Sequence, residues 1–292
     1  MSMEKVGSES MYRLLTNNVN YKNLMFMSDK QRFLRTISVE EVCVFLRWED
    51  IMTMPGINNN SWQIANNAFS SVGPREDFFS LNKKLKEHQA IEAQRPLTAE
   101  EMRAWQTSNL KKYADSGLKL EDLQREARKS RIYSSSVELL KYLVEKYSKV
   151  CIVSSGIKNV IEGTLNFYGI DQREYENLQI NATELIFNRA GTLIGWDDNS
   201  IVTADRKPWI VHGFSRIWDI EHENIFVVGG NTDLNMLDFV DEKATMIFFC
   251  PPHKRKLLTE ERFSYISSIA HGYVKHFDPI TKFFTKISSR PV

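Results

Sequence analysis

Cysteine is scarce in this chain: Cys43, Cys151 and Cys250 are the only three in 292 residues. Their number is odd, no two are close in sequence, and all three sit in or beside apolar, strand-like runs. That excludes a disulfide framework and the paired spacing of a zinc site, and it points to buried thiols in a reducing compartment. Surplus charge is missing too, with 38 basic against 37 acidic residues and a formal net charge of +1. Bulk attraction to nucleic acid or to an acidic membrane surface is therefore not expected. No apolar run approaches the roughly 20 residues of a membrane-spanning helix. Met1 to Met27 lacks the continuous apolar core of a secretory signal, and Glu4 and Glu9 interrupt it as an organelle presequence. The expected location is the cytoplasm; the alternative is the mitochondrion, as a subunit of an assembly.

What is present is an ordinary globular composition, 42% hydrophobic and 26% charged, in a length that suits one large domain or a domain with an insertion. Residues 1–38 are polar and Asn-rich and read as an N-terminal extension. Val39 to Leu46 is the first strong strand. The stretch from Ile64 to Lys129 has helical periodicity, with Phe78, Leu81, Leu85 and His88 at steps of three or four, and Thr98 and Glu101 spaced as a capping box. A further helix spans Ser136 to Tyr147, with Leu139, Leu140, Leu143 and Val144 on one side. Then follow the strand Lys149 to Gly156, a helix Ile157 to Tyr168, and a hairpin over Thr183 to Trp196 that turns at N-R-A-G. The strand Asn224 to Gly230, a short helix Asp233 to Phe239 and a buried strand Ala244 to Cys250 come next. The tail from Lys254 to Ile287 is helix-prone.

Strands alternating with helices predict an α/β fold with a Rossmann-like, mostly parallel sheet. In such sheets ligands sit at the carboxyl ends of the strands. Three strands end in informative loops: V-F-L-R-W-E-D-I-M-T (Val44 to Thr53), V-C-I-V-S-S-G (Val150 to Gly156) and F-V-V-G-G-N-T-D (Phe226 to Asp233).

These strand ends, in this order, resemble the haloacid dehalogenase-like phosphohydrolases. Within that superfamily the cap segment A-I-E-A-Q-R-P-L-T-A-E-E-M-R-A-W and the hairpin F-N-R-A-G-T-L-I-G are most similar to the cytosolic pyrimidine 5′-nucleotidases. The resemblance runs from about Val42 to Cys250. It implies a core made of residues 39–57 and 133–292, with residues 58–132 inserted as a helical cap. It also implies a mechanism. In the family a D-x-D-x-T strand end supplies an aspartyl nucleophile and, two residues on, an acid/base Asp. A Ser or Thr and a Lys hold the phosphate, and an acidic fourth motif completes an Mg²⁺ site.

Carried over residue by residue, the alignment puts Arg47 at the nucleophile, Glu49 at the acid/base and Ile51 at the Thr. Ser154 falls on the phosphate-binding Ser, with Ser155 and Gly156 beside it, and Lys207 on the phosphate Lys. The fourth motif G-G-N-T-D is one residue short: Gly230 or a deletion replaces the first Asp and leaves Asp233 as the only retained acid. A guanidinium stays protonated in proteins, so Arg47 can neither attack phosphorus nor ligate a metal. It repels one instead, by about 4 kcal/mol for unit charges ~4 Å apart at an effective dielectric of 20.

The expected protein is thus a catalytically inactive relative of the pyrimidine 5′-nucleotidases that acts as a binding or scaffold subunit, with other protein subunits as partners, and with no catalytic residue and no cofactor. Two alternatives stand beside it. One is an active 5′-nucleotidase, which needs Mg²⁺ and admits a shifted register with Asp50 as nucleophile. The other is a sensor that holds a nucleotide or phosphate on Ser154, Ser155, Gly156 and Lys207. Four bland readings also apply: Arg47 paired with Glu49 or Asp233 as a plug of the old site, Lys207 on the surface, Asp233 as a helix N-cap, and Trp62, Trp105 and Trp196 as core packing or as the walls of a nucleobase pocket.

Overall fold

The computed structural model describes residues 41–54, 60–95, 97–146, 148–230, 233–240 and 244–250, and, towards the C-terminus, 255–256, 258–270, 272–274, 280–281 and 284. The N-terminal extension and most of the loop that follows Met54 lie outside the described residues.

Six parallel strands form the central sheet in the order β3-β2-β1-β6-β7-β8. They are β1 (Cys43–Arg47), β2 (Lys149–Ile157), β3 (Leu178–Thr183), β6 (Ile225–Gly229), β7 (Thr245–Phe249) and β8 (Gly272–Val274). A separate antiparallel hairpin pairs β4 (Leu185–Phe187) with β5 (Leu193–Trp196). β1 lies in the middle, and its apolar run is buried on both faces, as parallel strands between helical layers are. Val44 and Leu46 enter one core and Cys43 and Phe45 the other. The alternation of a strand puts Arg47, the last residue, on the Phe45 side.

The chain builds outward from β1 through β2 to β3 and then returns to β6 on the other flank of β1. The crevice between the ends of β1 and β6 is therefore the topological switch point, where open α/β sheets receive their ligands. Arg47 closes β1 at that crevice.

Between Thr53 and Ile132 the described residues form four helices: α1 (Ser61–Phe69), α2 (Arg75–Gln94), α3 (Ala99–Asp115) and α4 (Leu120–Ala127). The chain leaves and re-enters the core side by side, because Thr53 bridges Ile132 and Met54 N donates to Arg131 O at 2.8 Å. The capping box at the start of α3 is formed in both directions, Glu101 N to Thr98 Oγ1 at 3.1 Å and Thr98 N to Glu101 Oε2 at 2.9 Å. The inserted helices do not have a core of their own. Trp62, Phe69, Leu85 and Tyr113 pack in one cluster with Val160 of α6 (Lys158–Phe167) and with Leu185 and Leu193 of the hairpin. The remaining helices are α5 (Ser134–Glu145), α7 (Lys207–Ile217) and α8 (Glu260–Ile269).

Three elements were not anticipated. β3 alternates apolar with Gln179 and Asn181 and carries no strong strand signal. α7 begins K-P-W-I-V-H-G, where Pro208 suits the first turn but two β-branched residues and Gly213 lower helix propensity. β8 lies within the tail expected to be helical. It pairs with β7 and so owes its form to a neighbour rather than to its own sequence. The three cysteines are buried free thiols. Burial pushes the Cys151 thiol up to about 12, which removes thiolate chemistry there at neutral pH. Among the described residues no helix is long and apolar enough to cross a membrane.

Candidate functional site

Asp233 anchors the switch-point crevice. It is fully buried, three residues past Gly230, which follows β6. Its Oδ1 accepts from Lys207 Nζ at 2.5 Å, and its Oδ2 accepts from Arg47 Nη1 at 3.2 Å and from Gly230 N at 2.7 Å. Burial alone would raise this carboxyl. The Lys207 ammonium and the Arg47 guanidinium overcome that and hold it below the usual carboxylate range. Asp233 is not a helix cap: its side chain makes no capping bond to the turn Leu234–Leu237. Nor is Lys207 a surface residue, since it is 3% exposed. It opens α7, where the helix dipole disfavours a cation, so its place there is set by Asp233 rather than by the helix.

Arg47 and Gly230 fit one another. A Cβ at residue 230 would stand 3.1 Å from Arg47 Nη1, so the guanidinium occupies the room a longer side chain at 230 needs. Both oxygens of the one retained fourth-motif acid are already held by cations. Among the described residues, no three His, Cys, Asp or Glu side chains are grouped to hold a metal ion. A divalent ion here would face two fixed positive charges, and the residues present do not fit Mg²⁺.

Glu49 belongs to a second network, set by the five-residue π-turn Trp48–Met52 that follows β1. Ile51 lies in the same turn. Glu49 Oε1 accepts from Ser61 Oγ at 2.9 Å and Oε2 from Ser154 Oγ at 2.7 Å. Gly156 N donates to Ser154 Oγ at 2.9 Å, and Ile157 N to Ser61 Oγ at 3.0 Å. The Ser154 hydroxyl therefore spends its proton on a carboxylate. Ser155 lends its carbonyl to Trp62 Nε1 at 3.0 Å and to Gln106 Nε2 at 3.2 Å. Gly156 is required by space: a Cβ there would lie 2.1 Å from Ser61 Oγ and 2.3 Å from Glu49 Oε1. Gly156→Ala is expected to cost about 2–3 kcal/mol in urea denaturation, the upper range for overpacking a filled site. A cost below about 0.5 kcal/mol would mean that the network yields freely.

The two networks share a cleft roofed by the inserted helices. Arg47, Glu49 and Lys207 form its floor, and His88, Glu92 and Trp105 reach in from α2 and α3. Its volume of about 40 Å³ is enough for a few waters or one small anion. It falls far short of the ~300 Å³ at which small-molecule sites begin. His88 stacks on Trp105, with ring centroids 4.0 Å apart at 22°, and Trp62 meets the same indole edge-on at 4.7 Å. Trp62 is buried and also lines the cleft, whereas Trp196 takes no part in it and instead donates Nε1 to Asp198 Oδ1 at 2.8 Å. Glu92 lies 3.6 Å from His88. Burial works to raise its carboxyl, but His88, Arg47 and Lys207 together bring it below its ordinary value.

Sequence reasoning missed His88 and Glu92 as site residues. The signal was available: the buried stripe Leu81, Leu85, His88 continues at the next step of four to Glu92, an acid where an apolar residue belongs.

The family model for pyrimidine 5′-nucleotidase (UMPH-1) matches residues 57–253. Among solved structures the chain is similar to cytosolic 5′-nucleotidase IIIB (cN-IIIB) bound to cytidine, at 14% identity and a TM-score of 0.62, over 97% of this chain and 98% of that one. A substrate-bound phosphoserine phosphatase matches at 15% identity and a TM-score of 0.54, over 81% of this chain and 94% of that one. A HAD family hydrolase from Salmonella enterica subsp. enterica serovar Typhi matches at 16% identity and a TM-score of 0.56, over 86% of this chain and 72% of that one. At these identities the likeness is one of fold. No curated protein matches the chain.

Proposed function

The chain belongs to the pyrimidine 5′-nucleotidase (UMPH-1) family, on the haloacid dehalogenase-like phosphatase fold, and from that membership we propose that it has given up phosphoester hydrolysis for a non-catalytic role as a binding or scaffold subunit. The observation that carries this reading is the ion pair of Arg47 with Asp233 at the switch-point crevice. A phosphatase of this fold needs a nucleophilic carboxylate at the end of β1. A guanidinium in that place has no lone pair to offer phosphorus, and it takes up the one acid left to hold a metal. Glu49, the counterpart of the acid/base, has both oxygens engaged by serine hydroxyls.

Residues 58–132 serve in this reading as a cap fastened to the core, in keeping with the hydrophobic cluster it shares with α6 and the hairpin. A second reading, a phosphate-holding site, is favoured by one observation: Arg47 and Lys207 both reach the wall of a cleft with room for a small anion. Of the four residues expected to hold phosphate, Lys207 and the Ser155–Gly156 segment line that cleft. Ser154 supports it from behind through Glu49.

The purified protein is expected to hydrolyse UMP, CMP and p-nitrophenyl phosphate no faster than background in the presence of Mg²⁺. Its melting temperature should be the same with and without EDTA. As a subunit, it should run in native extract at a mass above that of one 34.0 kDa chain. Mg²⁺-dependent turnover that chelation abolishes would overturn the non-catalytic reading, and a monomeric native mass would overturn the scaffold role.

A further inference from the structure

The charges around the cleft do not balance as the motif residues alone suggest. Arg47 and Lys207 face Asp233 and Glu49, two charges of each sign. Glu92 adds a third carboxylate from the opposite wall. It is held there rather than displayed on the surface, with its side chain 23% exposed and His88 beside it at 3.6 Å. His88 is fixed in turn by its stack on Trp105. Glu92 thus lines the same cleft as the two cations that a phosphate would seek.

We propose that Glu92 is a built-in anion: its carboxylate answers Arg47 and Lys207 across the cleft, and a free phosphate-like dianion enters only in exchange for it. The inference rests on the non-catalytic reading and names how that site is regulated. Three features support it. The cleft's volume of about 40 Å³ is of the order of one small anion or a few waters. With Glu92 ionised, the cleft lining sets two carboxylates, Glu49 and Glu92, against its two cations, with buried Asp233 behind them, so an incoming dianion finds no surplus positive charge. Glu92 also stays ionised at neutral pH, because the same two cations and His88 hold its carboxyl below the ordinary value despite burial. Anything that draws α2 away from the sheet edge, such as a partner bound to the inserted helices, would then expose an anion site that is otherwise satisfied from within.

The test is calorimetric titration with inorganic sulfate, whose charge is constant near neutral pH, and then with inorganic phosphate. Glu92→Gln keeps the shape of the side chain and removes its charge. It is expected to bind sulfate roughly tenfold or more tighter than the wild type, since one like charge is removed from a site a few ångströms across. Glu87→Gln is the control. Glu87 lies on the same helix at 59% exposure, and its loss changes the net charge equally without touching the cleft, so its affinity should match the wild type. Glu92→Asp, which draws the carboxylate back by one methylene, should move in the same direction by less and covers the case in which the glutamine variant folds poorly.

Equal sulfate affinity in the wild type, Glu92→Gln and Glu92→Asp would overturn the inference and leave the non-catalytic reading untouched. So would an equal gain in Glu87→Gln. The same variants are assayed with p-nitrophenyl phosphate: Mg²⁺-dependent turnover would overturn the non-catalytic reading, whatever the sulfate titration gives.

Discussion

Replacing Asp233 with alanine is expected to destabilise the fold by about 3–5 kcal/mol at neutral pH, the usual cost of stripping a buried ion pair of one partner. Asp233 has no exposed surface, and Lys207 has only 3%. Lys207 and Arg47 would be left with only the small cleft beside them in place of a carboxylate, and Gly230 N loses its acceptor as well. Asp233→Asn, which keeps the shape but not the charge, should retain most of the loss. Urea midpoints of the three proteins measure it, and a difference below about 1 kcal/mol would mean that the crevice is wetter than its burial implies.

The pH dependence follows from the same pair. Because the cations hold the folded-state carboxyl of Asp233 below its unfolded value, its contribution is complete above the ordinary carboxylate range, near pH 4. It is lost as pH falls through the lower folded-state value. The gap in stability between wild type and Asp233→Ala should therefore be constant from pH 5 to 7 and close below about pH 4.

Reversing the charge at the strand end, Arg47→Asp, is expected to cost about 4 kcal/mol or more at pH 7 and to invert the response to acid. Arg47→Ala is milder, about 2 kcal/mol, because Asp233 keeps Lys207 and Gly230 N. The aspartate variant does worse. It removes an attraction at 3.2 Å and adds a repulsion between two carboxylates, at longer range because the aspartate side chain is shorter than arginine's, each worth up to about 4 kcal/mol at an effective dielectric of 20. The added carboxylate favours a proton on one of the two, so one value of the pair is raised. A group raised in the folded state stabilises below its unfolded value, and that stability is lost as pH rises through the folded one. The variant should therefore be more stable at pH 5 than at pH 7, while the wild type shows no such gain. Melting temperatures at the two pH values decide it, and parallel pH profiles would show that residue 47 does not meet Asp233. No phosphatase activity is expected to return with the acid, because the position of Gly230 still lacks its carboxylate and Ser154 still spends its hydroxyl on Glu49.

The apolar strands β1, β2, β6 and β7, the helical stretch before Lys129 and the position of Arg47 at a strand end were legible in the chain because they are local properties. β1, β2, β6 and β7 are apolar runs ended by charge, glycine or proline, and a run of that kind can only be a buried strand in a sheet covered on both faces. The capping box at Thr98 and the N-R-A-G turn are likewise written in a few adjacent residues. α7, β3 and β8 were not legible. Their own propensities are weak, and packing against a neighbour decides their form.

The site divides the same way. That an arginine stands where the family keeps its nucleophile is a fact of sequence, and so is the single acid left at Asp233. That Arg47 pairs with Asp233 rather than with Glu49, and that Lys207 takes the other oxygen, is decided by the tertiary structure alone. Arg47 and Asp233 are 186 residues apart and meet because β6 returns to the flank of β1. Ser154, expected to face a phosphate, turns to Glu49, and Glu92, unremarked on its helix, faces the cations across the cleft. Periodicity tells which residues reach a sheet edge or a buried stripe. Which atoms then pair is settled by distance and by the cost of leaving a charge unpaired out of water, and both exist only once the chain is folded.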